Sequence, residues 1–183
     1  LSLARKSYSS GCRLGHGAAC VNLGAFYVQG TGVDIDLTAS AAYFSQGCEI
    51  GDRRGCTHFG MQLLRGSGIE QDLSTAVKLL DLACQVGEDD ACDALQSDAG
   101  PVLKSVCENG AYQYCYDAAR FSDNAKNAQT LSALGCGEGF ELACVKQCFY
   151  EIQIAPEKAV KRFEQACQSG VGEGCFSMAI AHL

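Results

Sequence analysis

From Ala19 to Tyr27 the chain reads Ala-Cys-Val-Asn-Leu-Gly-Ala-Phe-Tyr, which places apolar residues at helical rather than alternating spacing. This first helix runs to Gly30-Thr31-Gly32, where the glycines stop it. Gly24 in its middle is small enough to let another helix approach closely. Asp36 then stands as an N-cap before Leu37 to Ile50, where Leu37, Ala41, Phe44 and Cys48 recur three or four apart and predict a second helix. Gly51 ends it, and Gly55-Cys56 opens the next copy of the first helix. Gly60, Gly66, Gly68, Asp72 and Leu73 repeat Gly24, Gly30, Gly32, Asp36 and Leu37 at an offset of 36 residues. Leu1 joins Leu37 and Leu73, and Gly15, Gly51 and Gly87 keep the same interval. A repeat of that length made of two helices predicts an all-α solenoid of antiparallel αα-hairpins.

Cysteine carries the repeat beyond the reach of the apolar pattern. The pairs Cys12/Cys20, Cys48/Cys56, Cys84/Cys92, Cys107/Cys115, Cys136/Cys144 and Cys167/Cys175 share one spacing of eight, each with glycine between its members, and Cys148 is left over. Each pair joins the end of a second helix to the start of the following first helix, so a bridge there links consecutive repeats. Structural zinc sites favour cysteines with two to four residues between them and four converging ligands, whereas here seven lie between and the pairs are strung along a rod, so disulfides are expected and no metal. Cys148 lies one turn after Cys144 and is expected to be a buried free thiol. Residues 1–97 are regular. From 98 to 183 the units shorten, although all of 1–183 is expected to form one repeat domain of five to six hairpins. An irregularity is expected at Asp98-Ala99-Gly100-Pro101, and Pro156 is placed in the first turn of the last full second helix. By its helix pattern the chain is expected to open inside a second-type helix and to stop inside a first-type one at Ala181-His182-Leu183, with self-association through an exposed repeat face as one expectation that follows.

Composition narrows the partners. The 183 residues are 48% hydrophobic and 19% charged, enough apolar material for a core. A net charge of −7 opposes nucleic acid and anionic lipid. No stretch approaches the roughly 18–20 apolar residues of a membrane helix, so no membrane insertion is expected. The three histidines stand apart in sequence, and His58 has no evident nucleophile beside it. Ser122-Asp123-Asn124 matches a penicillin-recognising triplet by letter, yet neither Ser-x-x-Lys nor Lys-Thr-Gly accompanies it, and it reads as a helix-capping loop. The clusters Gly30-Thr31-Gly32 and Gly135-Cys136-Gly137-Glu138-Gly139 fit no nucleotide fingerprint and read as turns. No cofactor is expected.

The stretch Leu23-Gly24-x-x-Tyr27-x-x-Gly30-x-Gly32-Val33-x-x-Asp36-Leu37 resembles the Sel1-like repeat, a relative of the tetratricopeptide repeat, and Phe59-Gly60 to Leu73 resembles a second copy. Cysteines eight apart at the hairpin junction are similar to those of the disulfide-rich Helicobacter cysteine-rich proteins. The resemblance implies a right-handed superhelix and a non-enzymatic scaffold that binds a protein or peptide on its concave face. It implies a periplasmic or secreted location, with the mitochondrial intermembrane space as the other oxidising compartment. A periplasmic immunity or inhibitor role is the specialised form, and β-lactam binding or weak β-lactamase-like activity the enzymatic alternative. Carrying over the tetratricopeptide register, with Cys20, Cys56, Cys115 and Cys144 as fourth residues of their helices, puts Asn22, Gln29, Thr57, His58, Arg65, Tyr116, Arg120, Lys146 and Tyr150 on or near the concave surface.

Overall fold

The structure is a computed structural model that describes residues 2–152, 154–174 and 177. Its elements among these residues are helical, and none of the helices is long and apolar enough to cross a membrane. The chain divides into two compact units, residues 1–95 and 96–183.

Unit 1 holds α1 (Ser2–Arg13), α2 (Gly17–Gln29), α3 (Leu37–Glu49), α4 (Arg53–Arg65), α5 (Leu73–Gln85) and α6 (Asp89–Ala94). Asp36 and Asp72 cap α3 and α5 as the sequence predicts, their carboxylates accepting from the Ala39 and Thr75 amides. Neighbouring helices pack in chain order, α2 against α3, α3 against α4 and α4 against α5. Leu23, Phe44, Leu64, Ala76 and Leu80 fill the core between them, each 3% exposed or less. Gly24 is required there, because a Cβ on it would come within 2.7 Å of the Phe44 ring.

Unit 2 is entered through a π-helical turn, Leu95–Ala99, where the sequence predicted an irregularity. It continues with α7 (Gly100–Glu108), α8 (Cys115–Arg120), α9 (Ala125–Gly137), α10 (Glu141–Glu151) and α11 (Pro156–Gln168). A 3-10 turn, Tyr112–Tyr114, leads into α8. Pro156 occupies the first turn of α11, where its missing N–H costs nothing. Asn124 caps α9, accepting from the amides of Lys126 and Asn127. Val145, Cys148, Ala159, Phe163 and Ala166 form one buried cluster of this unit.

The junctions are alike in both units. Cys12–Cys20, Cys48–Cys56, Cys84–Cys92, Cys107–Cys115 and Cys136–Cys144 are disulfides with Cα atoms 4.4 to 5.1 Å apart. Cys167 is also disulfide-bonded, and its expected partner Cys175 lies outside the described residues, as does the expected terminal helix at Ala181-His182-Leu183. Three residues after each first cysteine stands a glycine with φ between 84° and 100°: Gly15, Gly51, Gly87, Gly110, Gly139 and Gly170. Its amide donates to the carbonyl of that cysteine, and the next amide donates to the carbonyl one residue before it. The helix is thus closed by a left-handed glycine turn that brings the second cysteine back onto the first. Cys148 is free and buried, as expected.

Candidate functional site

The residues expected on a binding surface divide between the units. In unit 1, α2, α3 and α4 enclose an open groove of about 360 Å³ that is lined by Gln29, His58 and Arg65. Ala25, Val28, Leu37, Phe44 and Met61 give it an apolar floor. Phe44 is held against α2 by the space left at Gly24, and the His58 ring lies over it with centroids 4.8 Å apart. Burial pushes the His58 imidazole below its ordinary pKa; the carboxylate of Asp90 opposes this and the Arg54 guanidinium reinforces it. At neutral pH the ring is therefore uncharged and offers one donor and one acceptor.

Gln62 completes the groove and was not singled out in the sequence. It is 7% exposed, and its Nε2 donates to Ser40 Oγ at 2.7 Å, which ties α4 to α3. Its Oε1 is buried with no hydrogen-bond partner among the described residues. A buried acceptor left unpaired costs on the order of 1–3 kcal/mol, so a group that donated to it would recover part of that cost. The signal for Met61 and Gln62 was present in the register: they follow His58 by three and four residues and so share its side of α4.

Thr57 departs from the expectation. It is 1% exposed, and its hydroxyl donates to the Arg53 carbonyl one turn earlier, so it presents nothing to a partner. Asn22 is half-buried on α2 and does not line the groove.

In unit 2 the Tyr116 hydroxyl donates to the Glu173 carboxylate, 2.9 Å from both oxygens. Burial, with Glu173 adding to it, raises the Tyr116 pKa far above its ordinary value, so the phenol stays protonated as the donor. The Arg120 guanidinium lies 5.7 Å from the centre of the Tyr116 ring and 4.9 Å from that of Phe121, and pairs with Asp117 at 3.2 Å. These two expected residues are thus brought together and are engaged with their own unit. Lys146 and Tyr150 stand one turn apart on α10, both half-buried. Among the described residues no three histidine, cysteine or carboxylate side chains converge as metal ligands would.

Comparison with known proteins fits this architecture. The Sel1 repeat model matches residues 17–52 and 60–88. Helicobacter pylori cysteine rich protein B is 36% identical over 48% of this chain and 66% of its own, with a TM-score of 0.46. A protective antigen present in uropathogenic Escherichia coli strains, described as displaying an SLR fold, aligns with 97% of this chain and 43% of its own at 21% identity and a TM-score of 0.50. A Sel1 repeat protein from Oxalobacter formigenes is 16% identical over 90% of this chain and 75% of its own, with a TM-score of 0.43. The chain spans 66% and 43% of the lengths of the first two. No match was found among the curated proteins. Residues 17–52 and 60–88 are thus two Sel1 repeats, set in an architecture of helical hairpins that carries a disulfide at each described junction.

Proposed function

We propose that the protein is a non-enzymatic scaffold of the periplasm or the extracellular space that holds a segment of a protein partner in the groove between α2 and α4. Sel1 repeats are typical of protein-interaction scaffolds, and five disulfides belong to an oxidising compartment. The observation that carries the reading is the combination of an apolar floor, the polar side chains of Gln29, His58 and Arg65, and an unsatisfied buried Gln62 Oε1. An apolar anchor can be buried on Phe44 and Met61 while a backbone amide of the partner donates to Gln62. An immunity or inhibitor role is the special case in which that partner is a secreted toxin.

The test is photocrosslinking in extracytoplasmic extract, with a benzophenone amino acid at Met61 and, as control, at Leu82, which is 61% exposed on α5. Adducts at Met61 that are absent at Leu82 and disappear with Arg65→Glu support the groove. Equal labelling at both positions, or none at Met61, ends the reading. The β-lactam alternative meets a specific obstacle. The Ser122-Asp123-Asn124 triplet is engaged in local structure, with Ser122 Oγ donating to the Asn124 carbonyl and Asn124 capping α9. Nitrocefin turnover by the oxidised protein would revive that alternative.

A further inference from the structure

A second cavity in unit 1 has a different chemistry. It measures about 480 Å³ and lies between α1, α2 and α3, with Arg5, Arg13, Lys6 and Ser9 on one wall and Tyr27 and Tyr43 opposite. The charge is set by the sequence. All 21 acidic residues lie from Asp34 onward and three of the 14 basic ones precede it, so residues 1–33 carry +3 and the rest −10. Arg5, Ser9 and Arg13 are spaced by four and form one stripe on α1. That stripe is fixed in direction, because the Cys12–Cys20 bridge holds the end of α1 and Tyr8 packs on Phe26 with ring centroids 5.8 Å apart. Among the described residues no carboxylate is paired with Arg5, Lys6 or Arg13. The other wall is equally ordered: Tyr27 and Tyr43 stack at 5.5 Å with their planes 15° apart. Burial, together with the neighbouring Tyr27 hydroxyl, raises the Tyr43 pKa.

We propose that this cavity is a second binding site, separate from the groove, that takes a short acidic peptide segment and holds two of its carboxylates on Arg5 and Arg13. The separation of the two arginines along α1 is about 12 Å at a rise of roughly 1.5 Å per residue. Carboxylates four residues apart on an extended segment stand about 13 Å apart, a matching interval. Planar guanidinium groups suit carboxylates, while the tyrosine faces and hydroxyls receive the side chain and backbone between them. A short segment with two charges is favoured over a densely charged polyanion, which the −10 of the remaining chain repels.

The test uses the oxidised full chain. A random peptide library is selected on it and counter-selected on Arg5→Glu/Arg13→Glu, and the retained peptides are measured by fluorescence anisotropy. Circular dichroism confirms that the variant is folded, and Arg5→Gln/Arg13→Gln replaces it if it is not. The expected peptides carry two acidic residues about four apart, lose roughly tenfold or more in affinity on the variant, and weaken as salt rises from about 50 to about 200 mM. They bind the groove variant His58→Ala/Arg65→Glu as they bind the native chain, which separates this site from the groove. Peptides without acidic residues, peptides indifferent to the arginine changes, or peptides lost on the groove variant would overturn the proposal. So would binding of a heparin hexasaccharide in place of any acidic peptide.

Discussion

Removing one junction disulfide tests what holds the repeats together. Every bridge closes the same loop, because the sequence separation is eight in each of the five described. For a loop of about nine residues the chain-entropy relation gives roughly 2.6 kcal/mol of stabilisation, the same at every junction. Differences between junctions then report native packing. Cys48 and Cys56 are half-buried, whereas Cys107 and Cys115 are both 0% exposed. Cys48→Ala/Cys56→Ala should therefore cost about 2.6 kcal/mol, which lowers Tm by roughly 5–10 °C for a chain of this size. Cys107→Ala/Cys115→Ala should add about 1 kcal/mol for each buried sulfur deleted, reaching about 4–5 kcal/mol. Replacing both members leaves no widowed half of the bridge to form a wrong one, and the free Cys148 stays buried. Urea unfolding followed by far-UV circular dichroism under non-reducing conditions measures both. A loss below about 1 kcal/mol for the Cys48/Cys56 variant would refute the entropic argument. Equal losses for the two variants would refute the packing part.

Three further outcomes are expected. Gly68→Ala should be far more damaging than Gly87→Ala. Both glycines have positive φ, 75° and 87°, but a Cβ on Gly68 would run into the Leu37 backbone whereas one on Gly87 meets nothing within 4 Å. Strain alone is about 1–2 kcal/mol, so comparable melting curves for the two variants would remove the steric argument. Cys148 should resist iodoacetamide at pH 8 in the native protein, because burial pushes its thiol up to about 11 and leaves about one part in a thousand as thiolate. Stoichiometric native labelling, read by mass spectrometry, would contradict this. His58 has a folded pKa below the unfolded value, so the unfolded chain binds more protons and stability falls as pH drops through about 6.5. The fall in Tm between pH 7 and pH 5 should be smaller in His58→Gln, and an identical slope would show that another group governs it.

The regular half of the fold was legible because its signals are local. Asp36 and Gly30 stand at the ends of helices found at Leu37–Glu49 and Gly17–Gln29, close to the bounds their caps predict. The cysteines and the glycines three residues after them marked each junction without any need for the apolar pattern. The candidate site was legible only by face. Gln29, His58 and Arg65 line one groove, whereas Thr57, expected on the same surface as its neighbour, is buried, because successive residues on a helix point about 100° apart. The unsatisfied Gln62 acceptor depends on where Ser40 of another helix lies, and the basic cavity on tyrosines from two further helices. No spacing along one segment carries that information. At Asp98-Ala99-Gly100-Pro101 the sequence predicts an irregularity without its form, and the chain there passes through a π-helical turn into α7.

The short first helices show why the cysteine spacing outlasts the leucine pattern. α4 buries Leu63, Leu64 and Gln62, whereas the six-residue α6 and α8 bury mainly alanines, Ala91 and Ala94 in one and Ala118 and Ala119 in the other. Alanine contributes little apolar area to either; α8 lies well below the roughly 12–15 residues at which an isolated helix becomes marginal in water, and α6, although it runs on through the π-helical turn into α7, starts with no large buried side chain. Their position has to be set from outside, and the bridge at Cys92 or Cys115 does so at their first turn. Close approach at the bridges also needs small neighbours: a Cβ on Gly11 would lie 2.9 Å from that of Ala19, and one on Gly135 2.7 Å from that of Ala143. Val106 and Tyr114 take the corresponding places at the fourth junction, where the Cα atoms are widest apart at 5.1 Å and the chain enters α8 through a 3-10 turn. Where side chains at the junction become large, the helix start distorts and the covalent link persists, which places the specification of this repeat in its junctions more than in its core.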